Sequence, residues 1–529
     1  MSESKHLTAP DPQETGWPKG VPYIIGNEGC ERYSYYGMRA ILYLYVVHLY
    51  EHVEKLAQDA AGTEATRVVH DFGAAVYALP MIGALIADRL LGKYHTILWL
   101  SAVYSLGHLV LSLTEGTFWG LYLGLGLIAV GSGGIKPCVS AHVGDQFGEG
   151  NWHLLQKIYQ IFYFIINFGS FFATILTPWT REYFGWTVAF AVPGVLMFIA
   201  TVVFWMGRNT FVHVPAKPGG MLGLLDVLSG SCLFFAMWFP IFSPTDLIAS
   251  PTRYICCPIF LVAGYVLFKI RQQKKPDDGF LAVLDCAVLN ALGFQKNRPS
   301  LEDRFGRDPI DGAIALFKIM SIFVFIAVFW ALFDQHSSTW IRQATMMNLA
   351  VDLPFLGQMT LTADQIPALN PLMVMILIPI CSACYSLIGA TGIQVTPLRR
   401  MTVGMFVASF AFVMVATIQG WIEAGFTTGT KVSILWQVIP YLIITTAEVL
   451  VSITGLEFAY SQAPKRMKSL VMGFWLLTVA IGNKLVVLLT GFENLALVDF
   501  FWVFAALMAA AGFLFAVRSK FYTPREFSQ

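Results

Sequence analysis

One predicted helix near the start of the chain carries charged side chains within an apolar segment, where ionisable groups need either a partner or a water-filled path. The stripe consists of Glu28, Glu31, Arg32, Tyr35 and Arg39. Their spacing of three, four, seven and eleven residues from the first member lies on one helix face. An ionisable group at mid-membrane costs about 2.5–3.5 kcal/mol on insertion scales, so the stripe has to face the protein interior. There it serves either a transport pathway or a buried ion network that holds the helices together.

The first segment and other apolar segments contain further polar or aromatic side chains that could line a pathway. Those that we select are Tyr36, His70, Tyr77, Lys136, Tyr163, Asn167, Lys318, Trp330, Asp334, Asn370, Glu448, Ser452 and Trp475. The cations Arg39 and Lys136 belong to the first part of the chain, whereas Glu448 belongs to the last. If the two parts face each other, their cavity is dipolar and suits a ligand with a carboxylate at one end and an amine at the other.

The composition places these side chains in a membrane protein. Of the 529 residues, 56% are hydrophobic and only 13% are charged, whereas soluble domains contain about 25% charged residues. The net charge of +1 excludes a polybasic nucleic-acid binder. The polar first 20 residues lack the apolar core of a signal peptide, so we expect the spanning helices themselves to direct insertion.

Fourteen apolar segments are long enough to span a bilayer as helices. They cover 23–50, 68–90, 94–113, 118–141, 154–179, 187–206, 222–242, 254–271, 312–337, 370–390, 398–419, 432–459, 467–489 and 497–518. With a cytoplasmic N-terminus, about twenty Lys and Arg lie in cytoplasmic loops and the tail and about six in the opposite loops. This asymmetry predicts that both termini are cytoplasmic.

The order of segments predicts an all-α integral membrane protein with three parts. Residues 1–208 form an N-terminal six-helix bundle, and residues 312–529 form a C-terminal six-helix bundle with a cytoplasmic tail. Residues 209–311 form a linker with two extra membrane helices and a polar cytoplasmic connector. The loop at 83–93, with the pattern G-x-x-x-x-D-R-x-x-G-K, resembles the signature of the major facilitator superfamily and implies its fold.

The sequence argues against an enzyme, a metal site or a nucleotide-driven pump. Cys381 and Cys384 form a C-x-x-C pair without a second pair or a nearby histidine, so we interpret them as packing residues. The glycine-rich run before Lys136 lacks the spacing of a nucleotide-binding loop, and the chain has no Walker A, H-E-x-x-H or G-x-S-x-G motif. We therefore expect no cofactor and no catalytic residue.

Several longer motifs resemble those of the proton-dependent oligopeptide transporters. The first segment contains the E-x-x-E-R-[FY]-x-Y-Y-G pattern within GNEGCERYSYYGMR. The stretches GGIKPCVSAHVGDQF, FYFIINFGS, FWALFDQHSS and EVLVSITGLEFAYSQAPKRMKS are similar to further family motifs. The later motifs and His70 look like those of animal members, whereas the extra segment pair at 222–271 resembles prokaryotic members. The large extracellular domain of animal members between the ninth and tenth core helices is absent.

The resemblance implies a role for each selected residue. Arg39 and Lys136 would receive a peptide carboxylate, and Glu448 with Asn167 and Asn370 would hold the amino terminus. The remaining members of the substrate site would be Tyr35, Tyr36, Tyr77, Tyr163, Trp330, Ser452 and Trp475. Proton coupling would use Glu28, Glu31, Arg32, His70 and Asp334. Lys318 would belong to a gate, but Ser382 stands where animal members carry the acidic partner.

These observations predict a proton-coupled symporter that imports di- and tripeptides, and peptide-like drugs, into the cell. We expect it to work as a monomer in the cell membrane, by alternating access driven by the proton gradient. One alternative is a proton-coupled transporter of another small solute such as nitrate, although plant relatives of that kind often alter the E-x-x-E-R motif. A second alternative is a peptide sensor that binds without transport.

Overall fold

The computed structural model describes residues 7–243, 250–276, 279–291, 301–353, 357–392, 396–462, 468–490 and 495–523. Most of these residues are helical. In an apolar solvent each backbone amide and carbonyl has to be paired within its own segment, and a helix achieves this. Large apolar side chains cover the outside: Trp99, Leu113, Val324, Leu488 and Phe513 are each between 63% and 73% exposed. Such a surface requires a lipid solvent, so the chain is a multi-pass membrane protein.

The first half contains six helical elements. Its elements are α1 (Val21–His52), α2 (Gln58–Ala78), α3 (Pro80–Ile86), α4 (Lys93–Leu113), α5 (Phe118–Gly144) and α6 (Leu155–Met206). Together with a π-helical turn at Ala87–Leu91, α2 and α3 form one span that begins ten residues before the predicted segment. The polar residues 58–67 lower the hydropathy at the start of this span, which explains why the predicted segment begins too far along the chain.

The helix α6 is two membrane crossings joined end to end. Its 52 residues would measure about 78 Å at 1.5 Å per residue, far more than a hydrocarbon core of about 30 Å. The chain reverses at Gly185, whose φ of 81° lies in the left-handed region that only glycine adopts without strain. The crossings before and after Gly185 correspond to the predicted segments 154–179 and 187–206.

The linker and the second half follow. The linker contains α7 (Gly220–Ile241), α8 (Ser250–Lys274), α9 (Phe280–Ala291) and α10 (Leu301–Phe305). The second half contains α11 (Arg307–Phe333), α12 (Thr339–Thr345), α13 (Leu369–Ala390), α14 (Pro397–Thr428), α15 (Val438–Glu448), α16 (Thr454–Ser461), α17 (Lys468–Thr490) and α18 (Leu497–Lys520). An antiparallel hairpin of β1 (Ala350–Leu353) and β2 (Gly357–Thr360) lies between α12 and α13.

The count of membrane crossings agrees with the prediction. Twelve helical segments of the described chain are long and apolar enough to span a membrane. One of them, 152–209, contains the two crossings of α6, and α1 is not among the twelve because its charged and tyrosine side chains lower its mean hydropathy. Adding α1 and dividing α6 gives fourteen crossings, so the predicted fold class of two six-helix bundles with an inserted helix pair is confirmed.

The structure adds elements that the sequence analysis did not predict. The polar connector contains the helices α9 and α10, and the 3₁₀ turn at Asp334–Ser337 separates α11 from α12 inside the predicted segment 312–337. The strand hairpin was also missed. The three-part division at 208 and 311 stays a prediction, although α11 already begins at Arg307.

Packing within and between the halves sets the position of the site. The helix α1 packs along α6, α14 packs along α18, and α2 meets α17 where the two halves touch. We call the end of the bundle that carries the α1–α2 connection the distal end. The opposite end, where α1 begins, is the proximal end. The charged stripe of α1 lies between these ends.

A glycine contact fixes the approach of α3 to α5 and gives a test of the packing. A Cβ atom at Gly83 would lie 2.2 Å from the carbonyl oxygen of Gly133 and 2.6 Å from Cα of Gly134. These are backbone atoms in a helix and cannot move aside cheaply. We expect Gly83→Ala to cost about 1–3 kcal/mol of stability and to lower the midpoint of thermal unfolding in detergent.

Gly126→Ala is the matched control, because a Cβ atom at Gly126 would meet no atom within 4 Å. The added helix propensity of about 1 kcal/mol should leave this variant as stable as the parent or more stable. An unchanged unfolding midpoint in Gly83→Ala would contradict the close contact.

Candidate functional site

The charged stripe of α1 forms a compact ion cluster in the first half. Arg32 Nε donates a hydrogen bond to Glu28 Oε1 at 2.6 Å and lies 3.0 Å from Glu31 Oε2. Both carboxylates are almost fully buried. The single hydrogen on Nε is directed to Glu28, and neither oxygen of Glu31 has a hydrogen-bond partner among the described residues. Glu31 is therefore the less firmly held of the two carboxylates.

The ammonium group of Lys136 lies between two tyrosine rings. Its Nζ atom is 4.0 Å from the ring centroid of Tyr35 and 4.1 Å from that of Tyr77. Within the described part of the chain, Nζ has no hydrogen-bond partner and is shielded from solvent. Cation–π contacts hold a desolvated ammonium without neutralising it. Lys136 also lies within electrostatic range of Glu31, so α1 and α5 share one charge system.

A hydrogen-bonded network crosses from the first half to the second. Arg39 Nη2 donates to Asp334 Oδ1 at 2.6 Å, and Asn483 Nδ2 donates to Asp334 Oδ2 at 2.6 Å. His70 Nδ1 lies 2.7 Å from Asn483 Oδ1, and His70 Nε2 lies 2.7 Å from Ser338 Oγ. Because an amide oxygen only accepts, Nδ1 carries the hydrogen. The network joins α1 and α2 to α17 and to the turn that follows α11.

Two further ion pairs join the halves nearer the distal end. Arg181 Nε lies 3.1 Å from Asp364 Oδ2, and Arg342 Nη2 lies 3.0 Å from Asp59 Oδ1. In the first pair Asp364 is buried and Arg181 half-buried, whereas the second pair has an exposed carboxylate and contributes little. A small cleft opens between the halves at this end. Its lining includes Thr66 and Thr339, so it ends close to the His70–Ser338 contact. The distal end of the pathway is closed.

The carboxylate of Glu448 lies on the second half at the end of α15. Asn370 Nδ2 donates to Glu448 Oε2 at 2.8 Å and lies 3.2 Å from Thr445 Oγ1. A π-helical turn at Val449–Ile453 follows directly, a local widening that often accompanies functional sites. Ser452 belongs to this turn and is half-buried, as are Glu448 and Asn370. These side chains keep contact with solvent although the distal end is closed.

Aromatic side chains complete the lining between the two charged groups. Trp330 and Trp475 meet edge to face with ring centroids 6.2 Å apart. On the first half, Asn167 Nδ2 donates to the backbone oxygen of Tyr163, and the Tyr163 side chain is 39% exposed. Tyr36 lies within electrostatic range of Arg32, Arg39 and Glu448 and thus spans the cavity.

The charges around the cavity do not cancel. Its charged members are Glu28, Glu31, Arg32, Arg39, Lys136, Asp334 and Glu448. Four carboxylates face three cations, and a zwitterionic ligand would leave the excess of one negative charge unchanged. One added proton would neutralise the site. Because moving net charge through a low-dielectric interior is costly, this balance favours proton uptake before the loaded site changes its exposure.

The structure brings most of the selected residues together and leaves some apart. Arg39, which we expected to be open to a ligand carboxylate, is engaged by Asp334 in this closed arrangement. Lys318 lies exposed on α11, and Ser382 lies exposed on α13. The gate assigned to Lys318 stays a prediction.

Two residues of the network were missed in the sequence. Asn483 bridges Asp334 and His70, and Ser338 contacts the other ring nitrogen of His70, yet neither was selected. Asn483 stands next to Lys484 inside an otherwise apolar segment. Glu448 was selected because an ionisable or polar group inside an apolar segment is costly, and the same criterion would have selected Asn483 and Lys484. Ser338 carries no such signal, since a lone serine is common in membrane helices.

No metal cluster was found in the described ranges, where no three His, Cys, Asp or Glu side chains come together. Cys381 is buried and Cys384 is exposed, and both are free thiols. The residues that surround the cavity are cations, carboxylates, amides and aromatic rings. Such a set suits a zwitterionic organic ligand.

Two six-helix halves around a charged cavity that is closed at one end define a secondary membrane transporter of the major facilitator superfamily type. The family model for the POT family, PTR2, matches residues 94–503. The chain belongs to the POT family.

Individual relatives support this assignment. Solute carrier family 15 member 2 of Danio rerio is 35% identical over 413 residues, which cover 75% of this chain and 49% of that protein. The chain thus spans about half the length of this curated relative. Among solved structures, the POT family transporter PepTSo is 36% identical with a TM-score of 0.76, covering 96% of this chain and 99% of that one. A proton dependent oligopeptide (POT) family transporter is 38% identical with a TM-score of 0.71, over 94% and 100% of the two chains.

Proposed function

We propose that this protein imports di- and tripeptides together with protons, by alternating access between its two halves. The observation that carries the proposal is the dipolar cavity, with Lys136 on the first half and the Glu448–Asn370 pair on the second. A short peptide has a carboxylate and an ammonium group at its two ends, which match these charges. Peptide-like drugs with the same two termini are further substrates. The tyrosine and tryptophan rings between them would accept varied side chains.

Peptide binding and opening of the distal end are linked through Arg39. In the distally closed arrangement, Asp334 pairs with the guanidinium of Arg39, so the peptide carboxylate binds to Lys136. When the halves separate distally, the Arg39–Asp334 pair breaks, and Arg39 joins Lys136 in binding the carboxylate. The amino terminus binds Glu448, Asn370 and Asn167.

Proton coupling follows from the charge balance. The proton binds to Glu31, because Arg32 bonds to Glu28 and holds Glu31 only by a longer ion contact. A peptide carboxylate draws Lys136 away from Glu31, which weakens the remaining hold on its negative charge. His70 and Asp334 transmit the state of the distal network, since both belong to it. Peptide and proton binding are then thermodynamically linked.

The remaining proposals concern the setting of the protein. We place it in the cell membrane with both termini and the proximal end in the cytoplasm, which the distribution of Lys and Arg in the loops supports. Two complete halves in one chain support a monomer. Transport requires neither a cofactor nor a catalytic residue, since the proton gradient supplies about 2.3 kcal/mol per charge at 100 mV.

Uptake into proteoliposomes tests the proposal. We expect labelled dialanine to accumulate against its gradient when the outside is acidic and the inside negative, and to stop accumulating when a protonophore collapses the gradient. Unlabelled dipeptides should compete, whereas nitrate should not. Competition by nitrate alone would favour the small-anion alternative, and binding without counterflow of labelled peptide would favour a sensor. Concentrative uptake that survives the protonophore would contradict proton coupling.

A further inference from the structure

The helix pair α7–α8 is anchored to the first half at its proximal end. The backbone N–H of Lys217 donates to the carbonyl of Asp88 at 3.0 Å. Asp226 on α7 pairs with Arg271 on α8 at 2.6 Å and lies 3.6 Å from Arg89 in the loop after α3. These contacts tie both helices of the pair to the loop of the first half, so the pair moves with that half.

Further along the membrane, the same helix pair reaches across to the second half. Phe234 on α7 and Phe242, which directly follows α7, form a buried apolar cluster with Ala74 and Ala78 of α2 and Ala480 of α17. The alanines make the α2–α17 seam shallow enough for the phenylalanine rings to cover it. An element fixed to the first half therefore also packs on the second.

An ion pair crosses the seam at the distal end of this cluster. Lys484 Nζ on α17 lies 2.6 Å from Asp71 Oδ1 on α2. The same Nζ lies 3.5 Å from the backbone oxygen of Ser243 at the end of α7, and Arg253 Nε on α8 donates to Ser243 Oγ at 2.9 Å. Lys484 is 6% exposed, Asp71 9% and Ser243 fully buried. The helix pair thus covers an ion pair that joins the halves.

This ion pair runs beside the central network but faces another direction. Asp71 follows His70 on α2, and Lys484 follows Asn483 on α17, so the chain makes two cross-half links one residue apart. Successive helix residues point about 100° apart, which turns His70–Asn483 toward the pathway and Asp71–Lys484 toward α7. Both links have to break when α2 and α17 separate at the distal end.

We propose that Asp71 and Lys484 form a second distal gate, and that the helix pair α7–α8 is a clasp that holds this gate closed. Separation of α2 from α17 would remove Lys484 from both Asp71 and the Ser243 carbonyl, and would expose the apolar cluster around Phe242. Because these contacts exist only when the distal end is closed, their loss on opening raises the free energy of the distally open state. The inference rests on the proposed alternating-access function, since it assigns a conformational step of that cycle.

Distance measurements between the halves test the clasp without any substrate. Spin labels are placed at Leu56 on the first half and Leu495 on the second, both exposed at the distal end, after the eight native cysteines are replaced by serine. The purified protein in lipid nanodiscs should give a dominant short distance. In D71N/K484M we expect the population with the longer, distally open distance to rise about fivefold or more.

Matched variants separate the clasp from general damage to the helix pair. Phe242→Ala removes the contact to α2 and α17 and should also raise the open population, with less than additive effect in the D71N/K484M background. Phe260→Ala removes a ring that packs inside the pair against Phe235 and Phe239, and should leave the distances unchanged.

Two results would overturn the clasp. One is an unchanged distance distribution in both D71N/K484M and Phe242→Ala, and the other is an equal shift in Phe260→Ala. If the double variant does not fold, Phe242→Leu carries the same comparison with a smaller change in volume. A failure of peptide uptake in the parent protein would contradict the proposed function but leave the distance result standing, so the two failures are distinguishable.

Discussion

Replacing Glu31 with glutamine is expected to abolish the concentrative uptake of dialanine while leaving exchange of labelled for unlabelled peptide in place. With one proton per zwitterionic peptide, a membrane potential of 100 mV supplies about 2.3 kcal/mol, which corresponds to roughly 50-fold accumulation. Glutamine at position 31 has no titrating proton and removes the negative charge of the buried carboxylate. The site then needs no proton to become neutral, so the accumulation ratio should fall to about one.

Counterflow and gradient-driven uptake should be measured on the same proteoliposomes. The matched control is Glu54→Gln, which changes an exposed glutamate beyond the end of α1 and should accumulate peptide as the parent does. Normal accumulation by the Glu31 variant would move the proton to another group, and loss of exchange as well would show that Glu31 is needed for the conformational change itself.

The second large effect concerns Glu448. We expect Glu448→Gln to bind dialanine about tenfold to hundredfold more weakly, because a hydrogen bond to a charged group contributes about 1.5–3 kcal/mol. Glutamine keeps an oxygen that can accept from Asn370, so the local packing is retained while the charge is lost. Binding is measured by the shift of the thermal unfolding midpoint with peptide concentration, or by calorimetry.

An analogue without the amino group sharpens this test. N-Propionyl-alanine has the shape of dialanine but no ammonium, so the parent should prefer dialanine strongly and Glu448→Gln should prefer neither. Glu457→Gln is the control, since this carboxylate lies on α16, pairs with Arg400 and is 58% exposed. Equal loss of both ligands in Glu448→Gln would assign Glu448 to packing rather than to recognition of the amine.

Much of the fold was predictable because the bilayer imposes simple rules. Every long apolar segment became a membrane helix, since a lipid-exposed backbone has to bond within its own segment. The limits arose where other forces act. The start of α2 is too polar for a hydropathy signal, and the turn at Gly185 depends on one backbone torsion. The helices α9 and α10 lie in a polar connector where no membrane rule applies.

The part of the candidate site that lies on a single helix was predictable from the sequence. The stripe of α1 follows from residue spacing, and its ion cluster has the expected composition. Pairing across the halves was not predictable in the same way. Arg39 and Asp334 are 295 residues apart, and no local pattern indicates that Asp334 pairs with the guanidinium that we assigned to a peptide carboxylate. The Asp71–Lys484 pair was overlooked, although each residue alone is a charge inside an apolar segment.

The charges of α1 have a consequence for how the protein is synthesised. The helix α1 is made before the other helices of this chain, yet one of the two cations near Glu31 belongs to α5, and the acid that pairs with Arg39 directly follows α11. Until those helices are made, α1 carries buried charges that each cost about 2.5–3.5 kcal/mol at mid-membrane. We therefore expect the nascent helix to stay at the insertion machinery or the interface, and to settle at full depth only after Asp334 has been translated.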